Sequence, residues 1–404
     1  MSEIRDIEWV MRRKNRRHGL EPIKAALHEI SDPQDTLRTV HIAGTNGKGS
    51  TVNYLRALLE AAGYTTGTFT SPHLVHHCDR IRINGKWIPE ETFLNYLRED
   101  MPLIEKYDLG MFEIDTLISL QWFRDMKADI ILMETGLGGR LDNTNVFRHP
   151  ELNIITTIAY DHTDILGERI QQIAFEKAGI IMPGSRCVCG RLNQHAMNVI
   201  RRAASRRHAR LSTVRPYRSL AGNSFAYREQ TYEIQGAQYQ KNNAALALEA
   251  AYLLGVDIKS EASVKAIKNA CWAGRYETVR EHPHVILDGA HNEEGMRALC
   301  ETLKHAERPV TAVFSALADK PERKMAKMLL RSSDHLILTH FANARADAEA
   351  LRMDGAVTIG SWKDAVDEAL QTEEGTVVIT GSLYFISLVR EYLLKDDRNE
   401  AESR

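Results

Sequence analysis

Eight consecutive residues, Gly44-Thr45-Asn46-Gly47-Lys48-Gly49-Ser50-Thr51, put glycines, a lysine and hydroxyls into one loop. Glycine lets backbone N–H groups turn toward a phosphate with no Cβ in the way. A helix that starts there adds its free amides and the positive end of its dipole. Lys48 supplies a point charge for the β- and γ-phosphates of a nucleoside triphosphate. The spacing is not that of the common G-x-x-x-x-G-K-[ST] loop, because Gly44 and Lys48 are closer and Gly49 precedes the hydroxyls. A glycine-rich turn with an incidental lysine is the plain alternative. The β-rich run 39–43 before the loop and the helical run 52–62 after it, closed by Gly63, count against that alternative.

Three more segments carry groups that suit a hard cation. Ser71 lies in TSPHL after the β-rich run 65–69, Glu134 ends the run 129–134, and Asp161-His162 follows the run 153–159. All three fall at C-terminal strand ends, the edge at which open α/β sheets bind ligands. A hydroxyl, a carboxylate and an imidazole there could hold Mg²⁺ beside a nucleotide, with water completing the shell.

The elements that must position these groups alternate. Helical patterns at 91–107 and 112–126 separate the strands of the first part, which implies a mostly parallel sheet with helices on both faces. A second strand–helix series runs through 285–288, 310–314, 335–339, 356–359 and 377–380. The expectation is an α/β chain with a P-loop-type first domain and a smaller Rossmann-like second one. The boundary is expected within 274–284, giving an ATP-binding domain over 1–280 and a C-terminal domain over 281–404. The length of 404 residues agrees with two or three domains at about 150 residues each.

Composition excludes several classes. Lys+Arg is 52 against Asp+Glu 54, a net charge of −2, so a chain that coats nucleic acid is not expected. No apolar run approaches the roughly 18 residues of a membrane span. The N-terminus MSEIRDIEWV lacks an apolar signal core, and five scattered cysteines make no disulfide framework, so a cytoplasmic protein is expected.

Read in order, GTNGKGST, TSPHL, RIRING, GLGGRLDNTNV, DHTDILG, EKAGI, GRYE, DGAHN and GSLYF resemble the dihydrofolate synthase/folylpolyglutamate synthase family of the Mur ligase superfamily. The resemblance runs from Gly19 to the last helix. It implies an ATP- and Mg²⁺-dependent amide ligase that adds L-glutamate to dihydropteroate or a folate through an acyl phosphate, acting as a monomer. It also implies roles. Thr45, Asn46, Gly47, Lys48, Gly49, Ser50 and Thr51 would cradle ATP, with Asn243, Arg275, Asp288 and His291 as further nucleotide contacts. Ser71, Glu134, His162 and Lys177 would hold the metal, Lys177 as a carbamate, and Lys48, Glu134, His162 and Lys177 would serve catalysis. The pterin would lie along Gly19, Leu20, Phe112, Glu113, Leu141, Asp142 and Asn143. The chain departs from the family pattern at Asn143, at Cys78-Asp79 before Arg80, at the extra acid Asp115 and at Pro321.

Other features read more plainly. Cys187 and Cys189 are too close for a zinc pair and are expected on opposite sides of a strand. The arginines of 12–17 and 201–218 are expected on solvated faces, with anion contact as the lesser reading. The charged tail 395–404 is expected to fray. Two competing functions remain at this point: a Mur-type peptidoglycan amino-acid ligase, and a nucleotide-binding protein without ligase activity.

Overall fold

The computed structural model describes residues 6–14, 19–343, 345–346, 349, 351–372 and 374–402, the side chains of 395–402 excepted. Arg16 and Arg17 of the basic run lie outside these residues. Arg12 pairs with Glu8, whereas Arg13 is tied to the protein, donating to Leu109 O at 2.6 Å and to Asp108 at 3.0 Å.

Two compact units emerge. The first comprises Met1–Ile234 and Asn242–Ala270, the second Gln235–Lys241 and Cys271–Arg404. The first holds an eight-stranded sheet of β1 (Thr39–Ala43), β2 (Thr66–Phe69), β3 (Ile81–Ile83), β4 (Lys86–Trp87), β5 (Ile130–Glu134), β6 (Leu152–Ile155), β7 (Arg186–Cys189) and β8 (Arg210–Thr213). Their order is β4-β3-β2-β5-β1-β6-β7-β8, parallel except for the β2-β3-β4 meander. A small antiparallel sheet of β9 (Arg218–Ser219), β10 (Ser224–Tyr227) and β11 (Gln230–Glu233) follows.

The central strands β1, β2, β5 and β6 of the large sheet are buried on both faces, as the interior of a parallel sheet requires. Residue alternation divides their side chains between two cores. Ile130 and Leu132 pack with the helices Lys48–Ala61 and Gln240–Leu253, while Ile131 and Met133 pack with Met111–Asp125. The same rule corrects the cysteine expectation. Residues two apart share a face, so Cys187 and Cys189 both enter one core and Val188 enters the other.

Two further expectations change. The run 153–159 stops as strand at Ile155, because the next residues spend their hydrogen-bonding groups on the phosphate loop instead of a ladder. The helical run 91–107 divides into Glu90–Glu99 and Met101–Lys106 at Asp100, before Pro102.

The second unit holds β12 (Arg275–Arg280), β13 (His284–Asp288), β14 (Val310–Phe314), β15 (His335–His340), β16 (Val357–Ser361) and β17 (Thr376–Thr380) in the order β12-β13-β17-β14-β15-β16. All neighbours are parallel except β12 and β13. β12 thus pairs in the second sheet, whereas a division at residue 280 places it in the first domain. The tail is helical, within Leu383–Glu402. Among the described residues no helix is long and apolar enough to cross a membrane.

Candidate active site

The phosphate loop spans the end of β1 and the first turn of Lys48–Ala61. Gly47 caps that helix at φ 82°, a left-handed conformation that costs a side-chain-bearing residue about 1–2 kcal/mol. A Cβ there would lie 2.3 Å from Asn243 Oδ1, and one on Gly44 would lie 1.8 Å from Thr156 Oγ1. Both glycines therefore let neighbouring side chains reach the loop backbone.

The segment after β6 fixes the loop. Thr45 N donates to Thr157 O at 2.8 Å and Asn46 N to Thr157 Oγ1 at 3.0 Å. Thr156 Oγ1 returns a bond to Asn46 O at 2.7 Å, and Thr45 Oγ1 accepts from Ala159 N at 3.0 Å. Lys48 Nζ lies 3.4 Å from Thr45 O and 3.9 Å from Glu134 Oε1. Thr51 Oγ1 is buried without a hydrogen-bond partner. A cradle closed to any Cβ, a lysine at its edge and an orphaned hydroxyl fit a polyphosphate.

Glu134, 3% exposed at the end of β5, connects this loop to the next strand end by accepting from Ser71 N at 3.3 Å. His162 stands at φ 48° before the short helix Thr163–Leu166, and its N–H donates to Asp161 Oδ1 at 2.9 Å. Lys177, in the last turn of Ile170–Lys177, is buried and donates from Nζ to Gly44 O at 2.8 Å. Burial first, then the charge of Lys48, brings its ammonium down to about 7, with Asp161 and Asp142 opposing. Among the described residues no cluster of three or more His, Cys, Asp or Glu gathers. A carboxylate, a hydroxyl and an imidazole are nevertheless donor types that suit Mg²⁺, which keeps water and phosphate oxygens in its shell.

The residues expected to hold the pterin divide by environment. Leu20 and Phe112 belong to one apolar core, Phe112 with its ring centroid 5.3 Å from that of Phe69, and a Cβ on Gly136 would meet Phe112 Cζ at 2.7 Å. Gly19 precedes them at φ 81°. Glu113 is buried, and its Oε2 caps its own helix by accepting from Gly110 N at 2.8 Å. Asp142 is buried too, accepting from Leu137 N at 2.7 Å and from Thr144 N and Oγ1 at 3.0 and 2.5 Å. Burial raises its carboxyl while these bonds oppose the rise. Leu141 is 53% exposed and Asn143 is half-buried.

In the second unit Asp288 ends β13. It accepts from Ala290 N at 3.0 Å and from the Tyr239 hydroxyl, and burial raises its carboxyl. A Cβ on Gly289 would lie 2.3 Å from Arg275 Nη1. His291 Nδ1 donates to Gly289 O at 2.8 Å, while Asn292 caps the helix Glu293–Leu303.

Sequence reasoning missed Thr156, Thr157 and Tyr239. The two threonines sit directly at the C-terminal end of β6, a position that signals ligand-side placement once the strand boundary is known. Tyr239 carries no such signal.

Residues 42–249 match the Mur ligase middle domain, and residues 274–383 match the Mur ligase glutamate ligase domain. The dihydrofolate synthase/folylpolyglutamate synthase of Bacillus subtilis (strain 168) is 38% identical over 418 residues, covering 93% of this chain and 95% of that protein. Among solved structures, E. coli FolC in complex with DHPP and ADP is similar at a TM-score of 0.87 and 28% identity, covering 97% of each chain. The Yersinia pestis bifunctional folylpolyglutamate synthase/dihydrofolate synthase complexed with AMPPNP and Mn ion is similar at 0.83 and 30% identity, covering 93% of each. The chain therefore belongs to the dihydrofolate synthase/folylpolyglutamate synthase family of the Mur ligases.

Proposed function

We propose that this protein is an ATP-dependent ligase that joins L-glutamate to the carboxylate of dihydropteroate or a reduced folate. One observation carries the reading: Lys48, Glu134 and Ser71 form a continuous set of contacts from a phosphate-loop helix to the neighbouring strand end. A carboxylate resists attack by an amine, so its oxygen first takes the γ-phosphoryl group of ATP and ADP leaves. The glutamate nitrogen then bonds to the acyl carbon, loses a proton, and phosphate departs. Loop amides and Lys48 bind the triphosphate and oppose the charge that develops on it. Ser71, Glu134 and His162 would hold Mg²⁺, which supplies charge neutralisation for the phosphates. Lys177 would join them as a carbamate, formed when CO₂ adds to the neutral amine and a proton leaves.

Thr45, Asn46, Gly49, Ser50, Thr51 and Asn243 are assigned to ATP in the first unit, and Arg275, Asp288 and His291 in the second. Leu20, Phe112, Leu141 and Asn143 are assigned to the acceptor, with Gly19, Glu113 and Asp142 shaping its walls. The assignment extends to a monomer acting in the cytoplasm on small molecules alone. Mixing the protein with ATP, Mg²⁺, glutamate and dihydropteroate or a reduced folate tests it. ADP release that requires glutamate and either acceptor is expected. If neither acceptor supports glutamate-dependent ADP release, the folate reading fails and a peptidoglycan-type acceptor is favoured.

A further inference from the structure

We propose that His73 contacts the acceptor, offering a fixed Nε2–H to its reacting carboxylate, and that Asp115 is the positioning residue that sets His73 through Arg80. The inference rests on the ligase reading above. It starts from a guanidinium, which donates hydrogen bonds and never accepts them. Arg80 Nη2 lies 3.2 Å from His73 Nδ1, so that nitrogen carries the lone pair and the ring proton sits on Nε2. Among the described residues His73 Nε2 makes no hydrogen bond, and the side chain is half-buried, within reach of a ligand.

The orientation of Arg80 is set from below. Its side chain is 5% exposed, and its Nε faces Oδ2 of the fully buried Asp115 at 3.6 Å. The other carboxylate oxygen, Oδ1, is held by His77 Nε2 at 2.7 Å, and His77 is also buried. Arg80 Nε and Asp115 Oδ2 are both without a hydrogen-bond partner, so an approach of a few tenths of an ångström closes that bond. Asp115 is thus the one acid that orders both His77 and the arginine that reads His73.

The location gives this cluster its work. Asp115 stands three residues beyond Phe112 on the helix Met111–Asp125, on the side of the sheet assigned to the pterin. His73 lies two residues beyond Ser71, whose N–H reaches Glu134, which in turn neighbours Lys48. A carboxylate about to meet the γ-phosphate next to Lys48 therefore lies close to the His73 loop. Asp115 is also the acid that departs from the family pattern after Phe112-Glu113, and this function accounts for its presence.

Steady-state kinetics for acceptor and for ATP, with thermal melts, test the proposal. His73→Phe should lower kcat/KM for the acceptor by about tenfold or more, the weight of one hydrogen bond to a charged group, and leave the ATP KM and melting unchanged. His73→Gln, whose amide can place an N–H near the same point, should recover most of the loss. Asp115→Asn should reproduce the acceptor defect, and combining it with His73→Phe should add nothing further. If Asp115→Asn does not fold, Arg80→Lys takes its place, since it keeps the charge and loses the fixed fork. Wild-type kinetics in His73→Phe, a Gln variant no better than Phe, or additive losses in the double variant overturn the proposal alone. A wild-type chain that releases no acceptor-dependent ADP overturns the ligase reading and this inference with it.

Discussion

Lys177 and Lys48 are two lysines around one phosphate loop, and their surroundings differ. Lys48 is half-buried with Nζ beside Glu134, whereas Lys177 is buried with Nζ on Gly44 O. Lys48→Ala should leave the melt unchanged and cost about 10²-fold or more in turnover at saturating ATP, because only the phosphoryl transition state loses a partner. Near-normal turnover contradicts its assignment. Lys177 with an ammonium brought down to about 7 offers a neutral amine near neutrality, the form that adds CO₂. Intact mass of the active protein should carry one added CO₂, and Lys177→Ala should lose activity and regain part of it with formate or acetate. An unmodified lysine in fully active protein rejects the carbamate. Both lysines were legible in sequence, Lys48 from its loop and Lys177 from EKAGI alone. The burial of Lys177 was not, since it depends on how Ile170–Lys177 packs beneath β1 and β6.

Elements explain what single residues could not. The strands β1, β2, β5 and β6 were readable because each is a short β-rich run that ends at or shortly before a chemically useful residue. Their exact ends were not, since Thr156 and Thr157 look like strand and bond like loop. Asp100 shows a similar limit. It reads as one more polar residue in a helical stretch, yet it sits buried between two helices with Gln121 Nε2 donating to it at 2.5 Å. Burial raises its carboxyl to about 6 from 3.8, against the Gln121 bond. A raised carboxyl means the folded form binds the proton more tightly, so stability falls as pH climbs from about 4 to about 6. Asp100→Asn keeps the acceptor for Gln121 and removes the charge. It should stabilise the first unit at pH 8 by about 1–3 kcal/mol, and the gain should vanish below about pH 4. Melting curves of both proteins across that range decide it, and a gain that persists at low pH contradicts the electrostatic cause.

At the scale of the whole molecule, the net charge of −2 hides an uneven distribution. Residues 178–228 contain ten arginines and no Asp, Glu or Lys, while the rest of the chain is net negative. Some of these arginines are committed: Arg186 to Glu151, Arg228 to Glu249, Arg207 to Ala178 O. Others, Arg201, Arg202 and Arg206, lie exposed on Gln194–Arg206, whose buried side is Ala196, Met197, Ile200 and Ala204. The sequence made this helix face legible as solvated, but composition alone could not separate the committed arginines from the exposed ones. A surface of this sign acts at a distance on an anion and is screened by salt. Each added glutamate gives the acceptor another carboxylate, so attraction should grow with the length of the glutamyl chain. The KM of a multiply glutamylated folate should therefore rise more steeply than that of dihydropteroate between about 0.1 M salt, where screening acts over about 10 Å, and about 1 M, where it acts over about 3 Å. Replacing Arg201, Arg202 and Arg206 with glutamine together should flatten that difference and leave dihydropteroate kinetics unchanged. If the two acceptors respond to salt in parallel, the arginines serve solubility and the longer substrate is held by contacts at the site alone.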